Sequence, residues 1–165
     1  APGDTVNLAI GQSELLVSPL QMAMILAAVG NGGVLYRPSV LEMIASDPAN
    51  SQGEPAVEVF EPMATGLLQV SPENLAVIRR SLLEATRAAD GTTDNSFQGL
   101  SIRVAGKTGT AESGAEMPHA WFVGYAPAEE PEIAIAVVLE HAGTGGQEAA
   151  PLFRQVVESY FEVGR

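Results

Sequence analysis

Apolar residues recur along the chain at two different periods, with turn residues between. Leu20 to Val29 is apolar at every position except Gln21, preceded by Ser18-Pro19 and followed by Gly30-Asn31-Gly32-Gly33. Ser18 reads as an N-cap, Pro19 suits the first helical position, and Gln21 completes a Ser-x-x-Gln capping box. The spacing predicts a helix over 18–29, stopped by the glycine run. Being apolar on all sides, it is expected to be buried rather than amphipathic. Ser71-Pro72 opens a second helix, to about Ala88, with Leu75, Ile78, Leu82 and Ala85 on one face. Arg79, Arg80, Glu84 and Arg87 fall on the other face and read as solvated. The last helix follows Gly143–Gly146. Its stripe of Leu152, Phe153, Val156, Val157, Tyr160 and Phe161 must pack on a sheet, and Pro151 is tolerable only in its first turn.

The remaining periodicity is twofold, the mark of strands. Leu100, Ile102 and Val104 alternate with Ser101, Arg103 and Ala105, which begins a strand running on towards Thr110. From His119 to Ala126, Trp121, Val123 and Tyr125 take one face and Phe122, Gly124 and Ala126 the other. Only residues 113–118 separate these two, which implies an antiparallel hairpin. Ile133 to Glu140 is apolar on both faces and therefore covered on both. Earlier, Val6, Leu8 and Ile10 alternate before Gly11, and Val34 to Ala45 is extended but broken by Pro38. Residues 46–56 are a loop by composition, and Val57 to Phe60 is a short strand. Pro38 and Pro62 make these edge or hairpin elements. The sum is an α+β fold: an antiparallel sheet of the last three strands, the C-terminal helix on one face and the other helices on the opposite face.

Composition narrows the class. At 165 residues the chain is one domain, and 46% hydrophobic with 5% aromatic residues describes an aliphatic core. A formal charge of −12 argues against nucleic acid and against adsorption to an anionic membrane. No apolar run reaches the ~18 residues of a bilayer span. The absence of cysteine excludes disulfides and thiolate sites, and two histidines are too few for a histidine-built metal centre, so no metal and no cofactor are expected.

The chemistry concentrates in Arg103-Val104-Ala105-Gly106-Lys107-Thr108-Gly109-Thr110-Ala111-Glu112, which holds the chain's only lysine. Here apolar alternation gives way to cationic and hydroxyl residues without a turn, as in a strand that leaves the core to border a cleft. Lys107 supplies positive charge, Thr108 and Thr110 supply hydroxyls, and an exposed strand edge supplies N–H groups. Gly109 lacks a Cβ, so a ligand could approach the strand there. Together these suit a carboxylate and a developing oxyanion. A phosphate-binding loop is rejected: position 101 is serine, apolar alternation fills the place of a glycine-rich loop, and no helix follows Thr108. His119, starting a strand near the open end, reads as a surface or hydrogen-bonded residue rather than a catalytic one.

The Lys-Thr-Gly segment also stands in a longer ordered series. Ile10-Gly11-Gln12, Ser18-Pro19-Leu20-Gln21-Met22-Ala23, Asn31-Gly32-Gly33, Gly91-Thr92, Ala105 to Glu112, His119 to Pro127, and Gly145-Gly146 through Ala149-Ala150-Pro151 occur in one order. Together they resemble the C-terminal half of the transpeptidase domain of class B penicillin-binding proteins, over nearly the whole chain. That family continues with glycine after Ile-Gly-Gln, where Ser13-Glu14 stand here. Its nucleophile motif, Ser-x-x-Lys, and its Ser-x-Asn element are absent from these residues. Both are expected upstream, in a missing N-terminal half, together with a membrane anchor.

The resemblance implies a D,D-transpeptidase acting through an acyl-serine on peptidoglycan stem peptides and inhibited by β-lactams, at the extracytoplasmic face of a bacterial membrane. It implies catalytic roles for Lys107 and Thr110 and substrate binding by Thr108, Gly109 and Thr110. Lys107 would keep the site electropositive and bond the Ser-x-Asn serine. The two threonines would hold the terminal carboxylate, and the Thr110 N–H would be an oxyanion donor. This segment alone is expected to be inactive. A non-catalytic β-lactam sensor or scaffold of the same fold, or a D,D-carboxypeptidase or β-lactamase, are the alternatives.

Overall fold

A computed structural model describes residues 6, 11–12, 15–41, 43–45, 57–87, 93, 95–112, 114 and 116–162. Its elements are helix α1 (Pro19–Gly30), strands β1 (Val34–Tyr36), β2 (Met43–Ala45), β3 (Val57–Val59) and β4 (Ala64–Leu67), helix α2 (Pro72–Arg87), strands β5 (Ala105–Ala111), β6 (His119–Ala126) and β7 (Ile133–Leu139), a π-helical turn (Gly145–Ala149) and helix α3 (Ala150–Tyr160). The expected capping box forms at α1: the Gln21 N–H donates to Ser18 Oγ at 3.2 Å, and the Ser18 N–H to Gln21 Oε1 at 2.8 Å. At its other end the Asn31 carboxamide oxygen accepts from the Gly33 and Val34 N–H groups, turning the chain into β1.

The expected sheet is present, antiparallel in the order β5-β6-β7. Its faces separate as the alternation of β6 requires. Phe122, Ala126, Phe153 and Val157 form one buried cluster under α3. Val123 and Tyr125 join Leu26, Val29 and Leu75 in a second under α1 and α2. Phe122 and Phe153 meet edge to face with centroids 4.7 Å apart, and Phe97 lies 5.2 Å from Phe122. Such pairs contribute ~1 kcal/mol each beyond burial. β7 is covered on both faces as expected, Ile135 and Val137 towards α3 and Ala134 and Ala136 towards α1.

Several expectations are corrected. The alternation at Leu100, Ile102 and Val104 does pack into the α3 cluster, but it is not strand, and β5 starts only at Ala105. β6 ends at Ala126 before Pro127, so residues upstream of Ala105 have no ladder to join beyond one bond from the Ala128 N–H to the Arg103 carbonyl. Helix α1 is not buried all round: Leu20 and Ile25 are 57% and 43% exposed, because the sheet covers only the side carrying Leu26 and Val29. In α3 only Phe153 and Val157 are fully buried and Phe161 partly. Leu152, Val156 and Tyr160 lie one residue, about 100°, off that line and face outward. Pro151 does fall in the first turn of α3, but the helical path is already under way as the π-helical turn. Arg79, expected in solvent, is half-buried and donates to the Glu129 carbonyl at 3.5 Å.

β1 pairs with β4 and β2 with β3 as separate two-stranded ribbons. β4 has no counterpart in the sequence reading, since Ala64-Thr65-Gly66-Leu67 alternates no apolar face. Of the Val6–Ile10 alternation only Val6 is described, and it is helical rather than extended. Loop 46–56 and Gly91-Thr92 lie outside the described residues.

Candidate active site

β5 changes character along its length as its sequence does. Ala105 and Gly106 are buried, Lys107 and Thr110 exposed, and Thr108, Gly109 and Ala111 intermediate. The strand lies at the sheet's edge, bonded to β6 on one side with no described strand on the other. Register places Lys107 opposite Val123, Gly109 opposite Trp121 and Ala111 opposite His119.

The direction of the backbone groups follows from two contacts. The Gln12 side-chain amide donates to the Thr110 carbonyl at 3.2 Å, and Lys107 Nζ donates to the Thr108 carbonyl at 2.9 Å. Both carbonyls therefore point away from β6. In an antiparallel strand a residue's N–H and C=O point to the same side. The N–H groups of Thr108 and Thr110 thus face the free edge as well, while Lys107, Gly109 and Ala111 bond β6. The Lys107 ammonium also donates to Thr108 Oγ1 at 3.1 Å, so it is drawn to the same edge. Two of its three protons are used there and the third is free for another acceptor. Among the described residues no carboxylate forms an ion pair with it.

Close packing holds this edge in place. A Cβ on Gly106 would come within 2.6 Å of Phe122 Cζ and 2.8 Å of the Val123 carbonyl. A Cβ on Gly145 would overlap the Trp121 carbonyl oxygen and lie 2.5 Å from that of Gly109. The π-helical turn thus rests directly on the backbone of β5 and β6. At Gly109 a Cβ would sit 3.1 Å from Trp121 Cβ. The missing side chain expected to admit a ligand serves first to let the strands and Trp121 pack. Behind β5, buried Thr86 Oγ1 reaches the Val104 carbonyl at 2.6 Å and ties α2 to the strand's start.

A groove of about 550 Å³ runs along this edge. Lys107, Thr108, Gly109, Thr110, Ala111 and Glu112 form one wall, with Trp121, Val123 and His119 behind them. Gln12, Leu15, Leu16, Val17 and Met22 form the other wall. All four sequence-selected residues, Lys107 to Thr110, are brought together here. A groove of similar size, about 560 Å³, is lined by Arg37, Pro38, Ser39, Leu41 and residues 60–63, away from β5. It has no free strand edge and none of the convergent donors that make the β5 groove a place for chemistry.

Sequence reasoning did not assign roles to Gln12, Glu112, Trp121 or the apolar wall at 15–17. Gln12 lay within the quoted Ile-Gly-Gln series, which was the one available signal. His119 is hydrogen-bonded as expected, its Nδ1 accepting the His141 N–H at 3.1 Å, with the two rings 4.6 Å apart. A neutral His119 therefore carries its proton on Nε2. It also lines the groove. Tyr125 lies beneath, 1% exposed. Among the described residues its hydroxyl is the buried side-chain polar atom without a hydrogen-bond partner. Burial pushes its pKa up, and the nearby Arg79 guanidinium opposes that shift without closing a bond of good geometry.

The family model for the penicillin-binding protein transpeptidase domain matches residues 2–158. The chain is 32% identical to peptidoglycan D,D-transpeptidase MrdA of Haemophilus influenzae, over 96% of its own length and 26% of the relative's. It is 33% identical to peptidoglycan D,D-transpeptidase PbpA of Mycobacterium tuberculosis, over 91% and 30%. It thus spans less than a third of the length of these relatives. Among solved structures, penicillin-binding protein A from M. tuberculosis as its ceftriaxone acyl-enzyme superimposes with a TM-score of 0.79 at 31% identity, covering 93% of this chain and 34% of that one.

Proposed function

The chain belongs to the penicillin-binding protein transpeptidase family, and from that membership we propose that it forms the Lys107-Thr108-Gly109-Thr110 wall of the active site of a serine-type peptidoglycan D,D-transpeptidase. On this reading the chain is the C-terminal portion of the catalytic domain. The attacking serine of Ser-x-x-Lys, and the Ser-x-Asn element, come from sequence outside these residues. The observation that carries the proposal is the placement of the Lys107 ammonium and the Thr110 peptide N–H on one free edge of β5, facing one groove.

The chemistry is acyl transfer. The serine oxygen attacks the carbonyl carbon of the penultimate D-alanine of a stem peptide, and the bond to the terminal D-alanine nitrogen breaks. That nitrogen leaves as the amine, taking the proton the serine gave up. An amine of a neighbouring stem then attacks the ester carbonyl and the serine oxygen departs. During each attack negative charge gathers on the carbonyl oxygen. The outward N–H of Thr110 is fixed by the β5–β6 ladder and needs no rearrangement to meet that charge. Lys107 and the Thr108 and Thr110 hydroxyls would receive the terminal carboxylate, and Lys107's unused proton would reach the serine of Ser-x-Asn. Gly109 presents bare backbone between them. β-Lactams, whose ring carbonyl takes the place of the scissile one, would acylate the same serine. The enzyme would work at the extracytoplasmic face of the membrane, anchored by sequence outside these residues, since among the described residues no helix is long and apolar enough to cross a bilayer.

Replacing Lys107 in the complete protein tests this. Lys107→Ala is expected to lower the rate of labelling by a fluorescent penicillin by ~100-fold or more, the scale for losing a preorganised electrostatic contact in a site of this kind. Undiminished labelling overturns the assignment. Partition of the acyl-enzyme between added D-amino acid and water then separates transpeptidase from carboxypeptidase action.

A further inference from the structure

The charges of the β5 groove are ordered along it. Among the described residues that line it, those able to carry charge are Lys107, Glu112 and His119. Lys107 stands near one end of β5, Glu112 directly follows its last residue, and His119 lies across from Ala111 at that same end. At ~3.3 Å per residue, Lys107 and Glu112 are separated by roughly 16 Å. Between them the groove offers hydroxyls, peptide groups and an apolar wall of Leu15, Leu16, Val17, Trp121 and Val123, with no charge. Glu112 is exposed and, among the described residues, joined in no ion pair. A cation at one end, a carboxylate at the other and an apolar wall between fit an extended peptide with two opposite charges: its own C-terminal carboxylate, and an ammonium on a side chain nearer its N-terminus.

Building on the acyl-donor site proposed above, we propose that Glu112 is a specificity-determining residue that receives the side-chain ammonium of the donor residue immediately before the acyl residue. The geometry follows from adding the peptide as an antiparallel strand to the free edge of β5. Its carboxylate meets Lys107 and Thr108, and its scissile carbonyl meets the Thr110 N–H. The donor residue one step further from the cut then lies beside positions 111 and 112. Glu112 is two residues beyond Thr110, roughly 7 Å along the strand, a gap that an aminobutyl side chain can span. His119, with its Nδ1 occupied by the His141 N–H, presents a neutral Nε2–H at this end and leaves Glu112 as the source of charge selectivity.

The test compares two synthetic donors with the complete protein, each a thioester in place of the terminal peptide bond. One carries lysine before the acyl D-alanine, the other norleucine, which has the same chain length without the ammonium. The readout is the ratio of their kcat/KM values, so a general disturbance of the wall, lowering both alike, does not register. The wild-type protein is expected to favour the lysine donor by about 2- to 5-fold, the scale of a solvent-exposed ion pair. Glu112→Gln should bring the ratio to about 1, and Glu112→Asp should keep part of it. Equal rates in the wild type, or an unchanged ratio in Glu112→Gln, overturns the assignment. Fluorescent penicillin on the wild-type protein reads the underlying proposal separately. Labelling without any amine preference removes only the role of Glu112, whereas no labelling at all removes the donor site and this inference together.

Discussion

Replacing Gly145 by alanine probes how the wall of the groove is held. An ideal Cβ there would overlap the Trp121 carbonyl oxygen and lie 2.5 Å from the Gly109 oxygen and 3.0 Å from the Gly109 nitrogen. Ordinary contacts of a Cβ begin near 3.4 Å, so the π-helical turn must retreat by about 1 Å. The obstructing atoms are backbone of two paired strands, not the tip of a side chain, and they cannot swing aside. Overpacking of this kind costs ~1–3 kcal/mol. For a protein of this size that is roughly 3–10 °C in Tm. A displacement of ~1 Å at a wall that must meet a developing oxyanion costs on the order of 100-fold in rate. The assay is the rate of acylation by a fluorescent penicillin, with thermal unfolding of the same complete protein. Gly66→Ala is the control: its Cβ meets nothing within 4 Å and its backbone lies outside the left-handed region, so it should remain within ~0.5 kcal/mol of wild type. Gly145→Ala with wild-type Tm and wild-type acylation would refute the idea that the π-helical turn braces β5.

Two further substitutions test the support beneath the site. Thr86→Val removes the hydroxyl that reaches the Val104 carbonyl at 2.6 Å and leaves that carbonyl without its buried partner, costing ~1–3 kcal/mol by chemical denaturation. Thr86→Ser should recover most of the loss, and an unchanged midpoint for Thr86→Val would show that α2 is not tethered there. Tyr125→Phe should lie within ~0.5 kcal/mol of wild type or above it at neutral pH, because the hydroxyl it deletes has no partner to lose. Burial raises the folded-state pKa of this phenol above its ordinary value near 10. The unfolded chain therefore sheds its proton first, and wild-type stability falls as pH rises above ~10 towards the folded pKa. Tyr125→Phe should lack that part of the alkaline decline, and a loss above ~1 kcal/mol at neutral pH would mean that the hydroxyl is paired.

Much of the fold was legible because the signals are local. The capping box at Ser18 and Gln21, the twofold alternation of β6 and the short 113–118 connection each involve residues near one another in sequence, and each formed as expected. The sequence marked Lys107 to Thr110 as the chemical stretch for the same reason: a change from apolar to cationic and hydroxyl residues within one strand needs no partner to be seen. Where the reading failed, the missing quantity was what lies opposite. An apolar sequence cannot say that the sheet covers only one side of α1. The stripe of α3 does not reveal which of two adjacent lines meets Phe122. The alternation at Leu100 to Val104 does not show that β6 has already ended at Pro127.

The sequence by itself therefore determined the elements, the two-faced sheet and the identity of the groups at the wall, since periodicity and residue chemistry are properties of short stretches. Only the tertiary structure decided that the Thr108 and Thr110 peptide groups point outward, that Gln12 bonds Thr110 across 98 residues, that Gly145 seats against Gly109, and that Lys107 and Glu112 face one groove from opposite ends. Those relations depend on register and on contacts between distant segments, which are set by the packing of the sheet against its helices and are not encoded in any one stretch.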